Sequence, residues 1–258
     1  MIYASTEVQR LLQAFNNGVE LAGVSLDATQ KTAVRDLLIA LNGIGLAKFT
    51  AIYPLVGGTA AAHAIDLLGN YPITWNGGIT HDANGILGNG TSGYGATGII
   101  PSTDAIILQD SVHLACYHNQ DPAVGSGASF ACNDGTRYLT QQATRLVDSI
   151  DYYYVNSGTF ASPAAGTPPD GLFVTQREIS SHQDQYQNGT RTSNHAAAST
   201  GLPTVELYLL AQNASGTATA WAIDQISFAS AGAGLTSGEN TTFNTAVQAY
   251  ASALSRAA

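Results

Sequence analysis

The Asn188-Gly189 dipeptide constrains the fold more than any other feature of this chain, because it separates two short polar segments, residues 182–187 and 190–194. A two-residue type I′ turn needs positive φ at both central positions, and Asn-Gly adopts this conformation readily. Tyr186 alternates with glutamine on either side, as in a strand with one buried face and one wet face. Residues 172–179 predict a further strand, so the stretch predicts three consecutive antiparallel strands.

Turn residues recur every several positions between residues 56 and 235, with short apolar pieces between them. This spacing is typical of an all-β sandwich or barrel. The best strand candidates are residues 105–117, 145–155, 172–179, 205–211 and 220–229. Residues 156–170 contain three prolines and predict a long loop.

Both ends of the chain predict helices. Residues 7–17 have a helical apolar period and end at Asn17-Gly18, while Ser25 is the predicted N-cap of a second helix that stops at Asn42-Gly43. Residues 45–53 suggest a short third helix. The second helix has an apolar stripe formed by Val34, Leu37, Leu38 and Leu41.

The C-terminal helix begins with a capping box, in which the side chains of Thr236 and Glu239 bind free backbone amides. Its apolar stripe must pack on another part of the protein, so we expect both ends of the chain to lie together on one side of the sandwich. The stripe comprises Phe243, Ala246, Val247, Tyr250 and Leu254. Three segments follow: an N-terminal helical segment (residues 1–55), a β-sandwich (residues 56–235) and the C-terminal helix (residues 236–258).

Composition excludes several classes of function. The chain has 258 residues, of which 45% are hydrophobic and only 10% charged, and its formal net charge is −9. An acidic chain without a basic cluster argues against nucleic acid and against anionic membranes, because phosphate groups are bound by Lys and Arg. Apolar runs such as residues 37–41 are too short for membrane insertion. Residues 1–7 have neither the basic nor the apolar region of a signal peptide.

Cys116 and Cys132 are the only cysteines. If residues 114–118 and 128–133 paired around a loop near Val124, the two thiols would face each other. Directly opposed strand residues are somewhat too far apart at Cβ for an unstrained disulfide, so two buried thiols are favoured over a disulfide. The spacing of the cysteines does not suggest zinc.

The order of elements in the last third of the chain resembles the C-terminal half of laminin G-like, concanavalin A-like jelly rolls. The resemblance covers residues 171–254. It rests on the Tyr-x-Asn-Gly hairpin, the Ile223-Asp224-Gln225-Ile226 strand and the Gly-Leu-Thr-x-x-Glu turn that opens a helix. It implies a mainly β, antiparallel jelly-roll sandwich with a lectin-like fold.

A second resemblance covers more of the chain and is to a family of bacteriophage-encoded virion proteins that have helices before a lectin-like sandwich. It is carried by residues 52–59, 75–81, 89–97, 246–250 and 254–256. This resemblance implies a structural or attachment protein of a phage particle, located in the virion, with other virion proteins as partners. It implies no catalytic residue.

Candidate catalytic groups are scattered, so no enzyme activity, cofactor or metal is predicted. Asp104 and Asp110 flank a strand, and Asp148 and Asp151 stand three apart on an extended segment. Glu178 with His182 or Asp184 forms a small cluster near a strand end. Asn133-Asp134-Gly135 resembles a fragment of a calcium site, but Asx-Gly sequences are first of all turns. The six histidines occur singly.

Aromatic residues are the better candidates for ligand binding, because sugar-binding faces use rings whose polar tips stay wet. On a strand, Tyr152 and Tyr154 face one way and Tyr153 the other. Trp75 lies among turn residues. Tyr153 and Trp75 are therefore the candidate glycan-stacking residues, although alternating tyrosines more often fill a sandwich core.

These observations predict a non-enzymatic virion surface protein, on the head or the tail, that attaches to a neutral host glycan. Two alternatives stay open: a purely structural decoration protein without a ligand, and a glycan-cleaving enzyme on the same fold. The apolar helix stripes also predict that residues 1–53 cover the sandwich or form a homo-oligomer contact, with a trimer as the first expectation.

Overall fold

The computed structural model describes residues 5–119, 127–141, 152–162 and 170–256. These residues form helices at both ends of the chain and strands between them. The helices are α1 (Thr6–Leu21), α2 (Ala28–Ile44), α3 (Ala60–His63) and α4 (Ser237–Ala253).

The strands are β1 (Phe49–Tyr53), β2 (Thr74–Asn76), β3 (Thr80–Asp82), β4 (Gly85–Leu87), β5 (Tyr94–Ala96), β6 (Val112–His118), β7 (Phe130–Asn133), β8 (Tyr138–Gln141), β9 (Tyr153–Val155), β10 (Gly171–Ile179), β11 (His182–Gln187), β12 (Thr190–Ala196), β13 (Tyr208–Leu209), β14 (Gln212–Ala214), β15 (Thr217–Thr219) and β16 (Gln225–Gly232).

The strands form two sheets. Sheet A has the order β12-β11-β10-β6-β16-β4-β3, with β1 also paired to β16, and all its pairs are antiparallel. Sheet B has the order β15-β14-β7-β13-β5-β2, with β8 paired to both β7 and β9. The only parallel pair among the described strands is β14 with β7.

Sheet A lies in the middle of a three-layer arrangement. One of its faces packs against the helices, in a core that joins Tyr117 and Phe228 of the sheet to Leu38 of α2 and Phe243 of α4. Its other face packs against sheet B in a second core. All seven residues of β6 are buried, because β6 lies in the centre of sheet A and contributes to both cores.

The mainly β sandwich with N-terminal helices and a C-terminal helix is confirmed. Helices α2 and α4 pack together on one face of sheet A, as the apolar stripes predict. The hairpin at Asn188-Gly189 is also confirmed, with φ of 49° and 76° at the two residues.

The division of the chain into three segments at residues 55 and 235 stays a prediction. No helix in the described ranges is long and apolar enough to cross a membrane.

The helix ends are partly as predicted. Thr236 and Glu239 form the expected capping box of α4. The N-cap of α2 is Asp27, which forms a capping box with Gln30, and not Ser25. Helix α1 does not end at Asn17-Gly18 but continues to Leu21. Gly18 lies inside the helix, close to the side chain of Ile65, and is not a C-cap.

The predicted third helix over residues 45–53 is wrong. A single 3₁₀ turn, Leu46–Lys48, leads directly into strand β1. All five residues of β1 are buried: Phe49 and Ile52 face the helices, whereas Ala51 and Tyr53 face sheet B. Such burial on both faces removes the polar alternation by which a strand is recognised in a sequence.

Three further strand predictions are displaced. Strand β6 begins only at Val112, because the carboxylate of Asp104 accepts the amide hydrogens of Ile106 and Ile107 and holds a turn before it. Within residues 205–211 only β13 is a strand, and the strand predicted at residues 220–229 begins at Gln225. The first part of the predicted strand at residues 145–155 and most of the Pro-rich loop lie outside the described residues.

The two cysteine segments do not pair with each other. Cys116 is in sheet A and Cys132 is in sheet B, and both side chains point into the core between the sheets. The thiols are free and buried, as favoured from the sequence. Burial raises the pKa of both thiols well above its ordinary value.

The buried histidines predict a loss of stability in mild acid. His118 is fully buried, neither ring nitrogen has a hydrogen-bond partner among the described residues, and burial lowers its pKa from 6.5 to about 3. The unfolded chain therefore binds a proton that the folded chain does not, and stability falls as the pH falls from about 6.5 towards about 3. The carboxylate of Asp224 lies 3.9 Å from the ring and does not offset the burial.

We expect His118→Leu to remove about 2 kcal/mol of the decrease in the free energy of unfolding between about pH 7.5 and about pH 5. Urea unfolding of the wild type and the variant at both pH values measures this. Parallel pH dependence in the two proteins would show that folding does not lower the pKa of His118.

Candidate functional site

The outer face of sheet B carries a group of tyrosines. Leu139 of β8, Val155 of β9 and Leu209 of β13 point into the core between the sheets, so their strand neighbours point outwards. Those neighbours include Tyr138, Tyr154 and Tyr208. Helices cover the free face of sheet A, so the side of the molecule bearing these tyrosines lies opposite the helices.

The first tyrosine pair joins β8 and β9. The rings of Tyr138 and Tyr154 are stacked, with centroids 5.0 Å apart and planes inclined at 28°. Phe160, which is 52% exposed, contacts the rings of both Tyr152 and Tyr154. Tyr138, Tyr152 and Tyr154 are half-buried. Together these four side chains form an aromatic platform, in which the Phe160 ring is the most accessible.

The second tyrosine pair joins β5 and β13. The ring of Tyr94 stacks on that of Tyr208 with centroids 4.5 Å apart and planes inclined at 28°. Tyr208 is only 7% exposed and Tyr94 is half-buried, so Tyr94 forms the accessible part of the pair. Burial and the nearby Glu206 carboxylate raise the pKa of Tyr208 above its ordinary value.

The strands between the two pairs carry smaller side chains. Ala131 of β7 is paired with Tyr208 on one strand and Thr140 on another, and Thr140 is paired with Tyr154. The side-chain amide of Gln212 donates a hydrogen bond to the Thr140 hydroxyl across this gap (3.3 Å). We call the surface formed by Tyr94, Tyr138, Tyr152, Tyr154, Phe160, Tyr208 and Gln212 the tyrosine face.

Tyr153 does not belong to the tyrosine face, and the prediction of an exposed ring at this position is wrong. Its ring is 0% exposed, and its hydroxyl donates to the Ser193 hydroxyl (2.8 Å) and lies 3.3 Å from the Gln183 carbonyl. Burial raises its pKa to about 12. The predicted alternation is correct, since Tyr152 and Tyr154 share one face of the strand. However, Tyr152 and Tyr154 point outwards, and Tyr153 points into the core.

Trp75 also lies away from the tyrosine face. It is paired with Gly95, and a side chain at Gly95 would collide with the Trp75 ring and with Ile73. The indole N–H donates to the Ala60 carbonyl (2.8 Å), and the half-buried ring makes an edge contact with His81. The structure does not bring Trp75 and Tyr153 together, and a stacking role for Trp75 stays a prediction.

The residues of the tyrosine face have a weak signal in the sequence. Tyr138 precedes the apolar residue Leu139, and Tyr154 precedes the apolar residue Val155. On a strand, each tyrosine therefore points to the opposite face from its apolar neighbour. However, nothing local to either segment indicates that Thr140 is paired with Tyr154. The stack of Tyr138 on Tyr154 depends on that register and could not be read from either strand alone.

The predicted carboxylate cluster lies on the other side of sheet A, beside the start of α4. Glu178 is exposed as a residue, but partial desolvation of its carboxyl group, together with the charges of Asp184 and Glu239, raises its pKa. Asp184 is buried and accepts a hydrogen bond from the Asn194 amide. Lys48 forms an ion pair with Glu239, so the cluster is partly neutralised.

The remaining candidate groups have structural roles. Asp104 accepts hydrogen bonds from Thr50 and Tyr71, and Asp110 accepts one from Ser199. The Asn133 side chain accepts the Gly135 amide hydrogen, which is an Asx turn. No group of three or more metal-binding side chains occurs in the described residues. Asp148 and Asp151 lie outside them.

The buried His63 and the half-buried His81 form a pair, with their Nδ1 atoms 3.1 Å apart. The Nε2 atom of His63 accepts the Gly58 amide hydrogen, so its Nδ1 carries the proton and donates to His81. Burial lowers the pKa of His63 to about 3. Both nitrogens of His63 are thus occupied, and the pair holds the turn after β1 in place.

Comparisons with family models and with curated sequences found no match. Solved structures do share the fold. Domain 4 of an extracellular arabinanase from Geobacillus stearothermophilus, in complex with arabinotriose, has a TM-score of 0.50 and 16% identity, and the match covers 76% of this chain and 98% of that chain. Trypanosoma rangeli sialidase has a TM-score of 0.54 and 11% identity, covering 83% of this chain but only 38% of the sialidase. At these identities the likeness shows a β-sandwich fold.

The positions of the neighbouring residues Tyr153 and Tyr154 predict losses of stability of different size for the same substitution. We expect Tyr153→Ala to lower the free energy of unfolding by about 3–5 kcal/mol, because it leaves a cavity in the core between the sheets. We expect Tyr154→Ala to lower it by only about 1 kcal/mol, the value of one aromatic pair at the surface. Urea unfolding of both variants checks this. Equal losses would place both rings in the core.

Proposed function

We propose that this protein is a non-enzymatic carbohydrate-binding protein whose tyrosine face binds a neutral glycan. The observation that carries the proposal is the presence of two stacked tyrosine pairs on the same outer face of sheet B. Tyrosine rings stack on the apolar faces of sugars while their hydroxyl groups remain hydrated. The Gln212 amide between the pairs adds a polar group suited to sugar hydroxyls.

Charge supports a neutral ligand. The formal net charge of −9 repels acidic sugars at low salt, and only nine lysine and arginine residues occur in the chain. Arg137, next to Tyr138, is held by an ion pair with Asp134 (3.0 Å). Both properties favour recognition through rings and amides over recognition through charges.

The arabinanase domain supports the same class of ligand, since a related sandwich holds a neutral oligosaccharide, arabinotriose. This support concerns the fold, because the identity is only 16%.

The resemblance to phage virion proteins suggests the setting. We propose that the protein lies on the surface of a virion, on the head or the tail, with other virion proteins as partners and host glycan as its ligand. We further propose a homo-oligomer, with three copies as the first expectation, and light scattering at high concentration tests this. A map of an intact particle that lacks this protein would contradict the proposed location.

Among the described residues, the best candidate site for the alternative of a glycan-cleaving enzyme is the Glu178 cluster, because a partly exposed carboxyl group with a raised pKa is a candidate general acid. That cluster and the tyrosine face lie on opposite sides of sheet A, so a sugar stacked on the tyrosines is out of its reach. Release of reducing ends from host polysaccharide, abolished by Glu178→Gln, would establish the enzyme and refute the non-enzymatic proposal.

We expect the wild-type protein to bind at least one neutral polysaccharide on a glycan array. Tyr154→Ala should weaken that binding roughly fivefold to tenfold, because it removes a stacking ring. Tyr154→Phe keeps the ring and should bind nearly as well as the wild type.

The control is Leu21→Ala, a substitution at an exposed residue of α1 far from the tyrosine face. Full binding by a folded Tyr154→Ala protein would place the site elsewhere, and no binding at all would favour a purely structural decoration protein.

A further inference from the structure

The two tyrosine pairs lie along one row of residues that crosses sheet B. In this row Tyr208 of β13 is opposite Ala131 of β7, Ala131 is opposite Thr140 of β8, and Thr140 is opposite Tyr154 of β9. Residues that are opposite one another in neighbouring strands point to the same face of the sheet. The row therefore has a tyrosine at each end and small side chains between them.

The register gives the separation of the two pairs. The accessible ring of the second pair, Tyr94, is on β5, and the first pair occupies β8 and β9, which lie three and four strands away. With neighbouring strands ~4.8 Å apart, the backbones of Tyr94 and of the first pair are roughly 14–19 Å apart. A sugar ring is about as long as one strand spacing, so about two sugars separate a sugar on one pair from a sugar on the other.

The surface between the pairs is polar. Ala131 and Thr140 lie beneath it, at 0% and 1% exposure, and the half-buried Gln212 side chain, which donates to the Thr140 hydroxyl, reaches solvent there. The surface thus has an aromatic platform at each end and an amide between them, and a sugar chain that reaches both platforms passes over the Gln212 amide.

We propose that the tyrosine face binds a linear, neutral oligosaccharide of about four sugars, with the Tyr94–Tyr208 and Tyr138–Tyr154 pairs as its two end subsites. The inference rests on the proposed glycan-binding function and adds to it the length and the linear form of the ligand. A chain long enough to reach both pairs gains the second contact without a second loss of translational freedom. Affinity then depends on chain length as well as on sugar type.

The test uses cello-, xylo-, manno- and arabino-oligosaccharides, from disaccharides to hexasaccharides, with binding to the full chain measured by calorimetry. In the series that binds, we expect the affinity to rise about tenfold between the disaccharide and the tetrasaccharide and then to level off. Tyr94→Ala should reduce tetrasaccharide affinity roughly to that of the disaccharide. Tyr94→Phe keeps the ring and should preserve the length dependence, and melting temperatures verify that both variants are folded.

The outcomes separate this inference from the proposal on which it rests. Binding that is independent of length, or a folded Tyr94→Ala protein with the wild-type length dependence, overturns the two-subsite inference and leaves glycan binding intact. Failure of all four series and of the glycan array to bind overturns the proposed function and the inference together.

Discussion

Strand β6 is buried on both of its faces, and the positions of the other layers depend on this burial. Leu114 and Cys116 point towards sheet B, whereas Ala115 and Tyr117 point towards the helices. Removing apolar surface from water on two faces stabilises the protein by roughly 25 cal/mol for each Å² buried. Sheet A therefore needs both a helix layer and a second sheet, and each of these layers leaves its own outer side to solvent.

The buried polar groups show how strand β9, which carries Tyr154, is held against sheet A. The guanidinium group of Arg177 is fully buried and donates hydrogen bonds to the carbonyl groups of Val155, Ser180 and Ala197. The Gln183 side chain accepts the Val155 amide hydrogen (2.8 Å). Buried polar groups must be paired to avoid a large desolvation cost, so these contacts fix the height and direction of β9. Tyr153 is thereby held inside and Tyr154 outside.

The C-terminal helix is held by a similar set of contacts. Tyr250 of α4 donates to the Pro54 carbonyl directly after β1, and Arg256 donates to the carbonyl groups of Ala83 and Leu55. The last helix is thus bonded to the segment that connects the N-terminal helices to the sandwich. These contacts explain why the apolar stripes of α2 and α4, which are far apart in the chain, share one core.

Local features were predictable from the sequence because they depend on neighbouring residues. The Asn188-Gly189 turn, the Thr236–Glu239 capping box and the stripe of Val34, Leu37, Leu38 and Leu41 follow from backbone sterics, hydrogen bonding and helical period. The opposite orientations of Tyr153 and its two tyrosine neighbours also followed from the period of two. The sequence by itself thus determined the helices at both ends of the chain, the Thr236–Glu239 capping box, the Asn188-Gly189 hairpin and a mainly β sandwich.

The tertiary structure alone decided which side of each strand became the surface. Alternation is symmetrical, so the pattern at residues 152–154 is equally consistent with Tyr153 outside or inside, and the choice depends on where Arg177 and Gln183 of sheet A bind β9. Strand β1 was missed for a related reason, since burial on both faces leaves no polar alternation. The stacks of Tyr138 on Tyr154 and of Tyr94 on Tyr208 likewise depend on pairing between strands distant in the chain, and local residue patterns do not specify such a register.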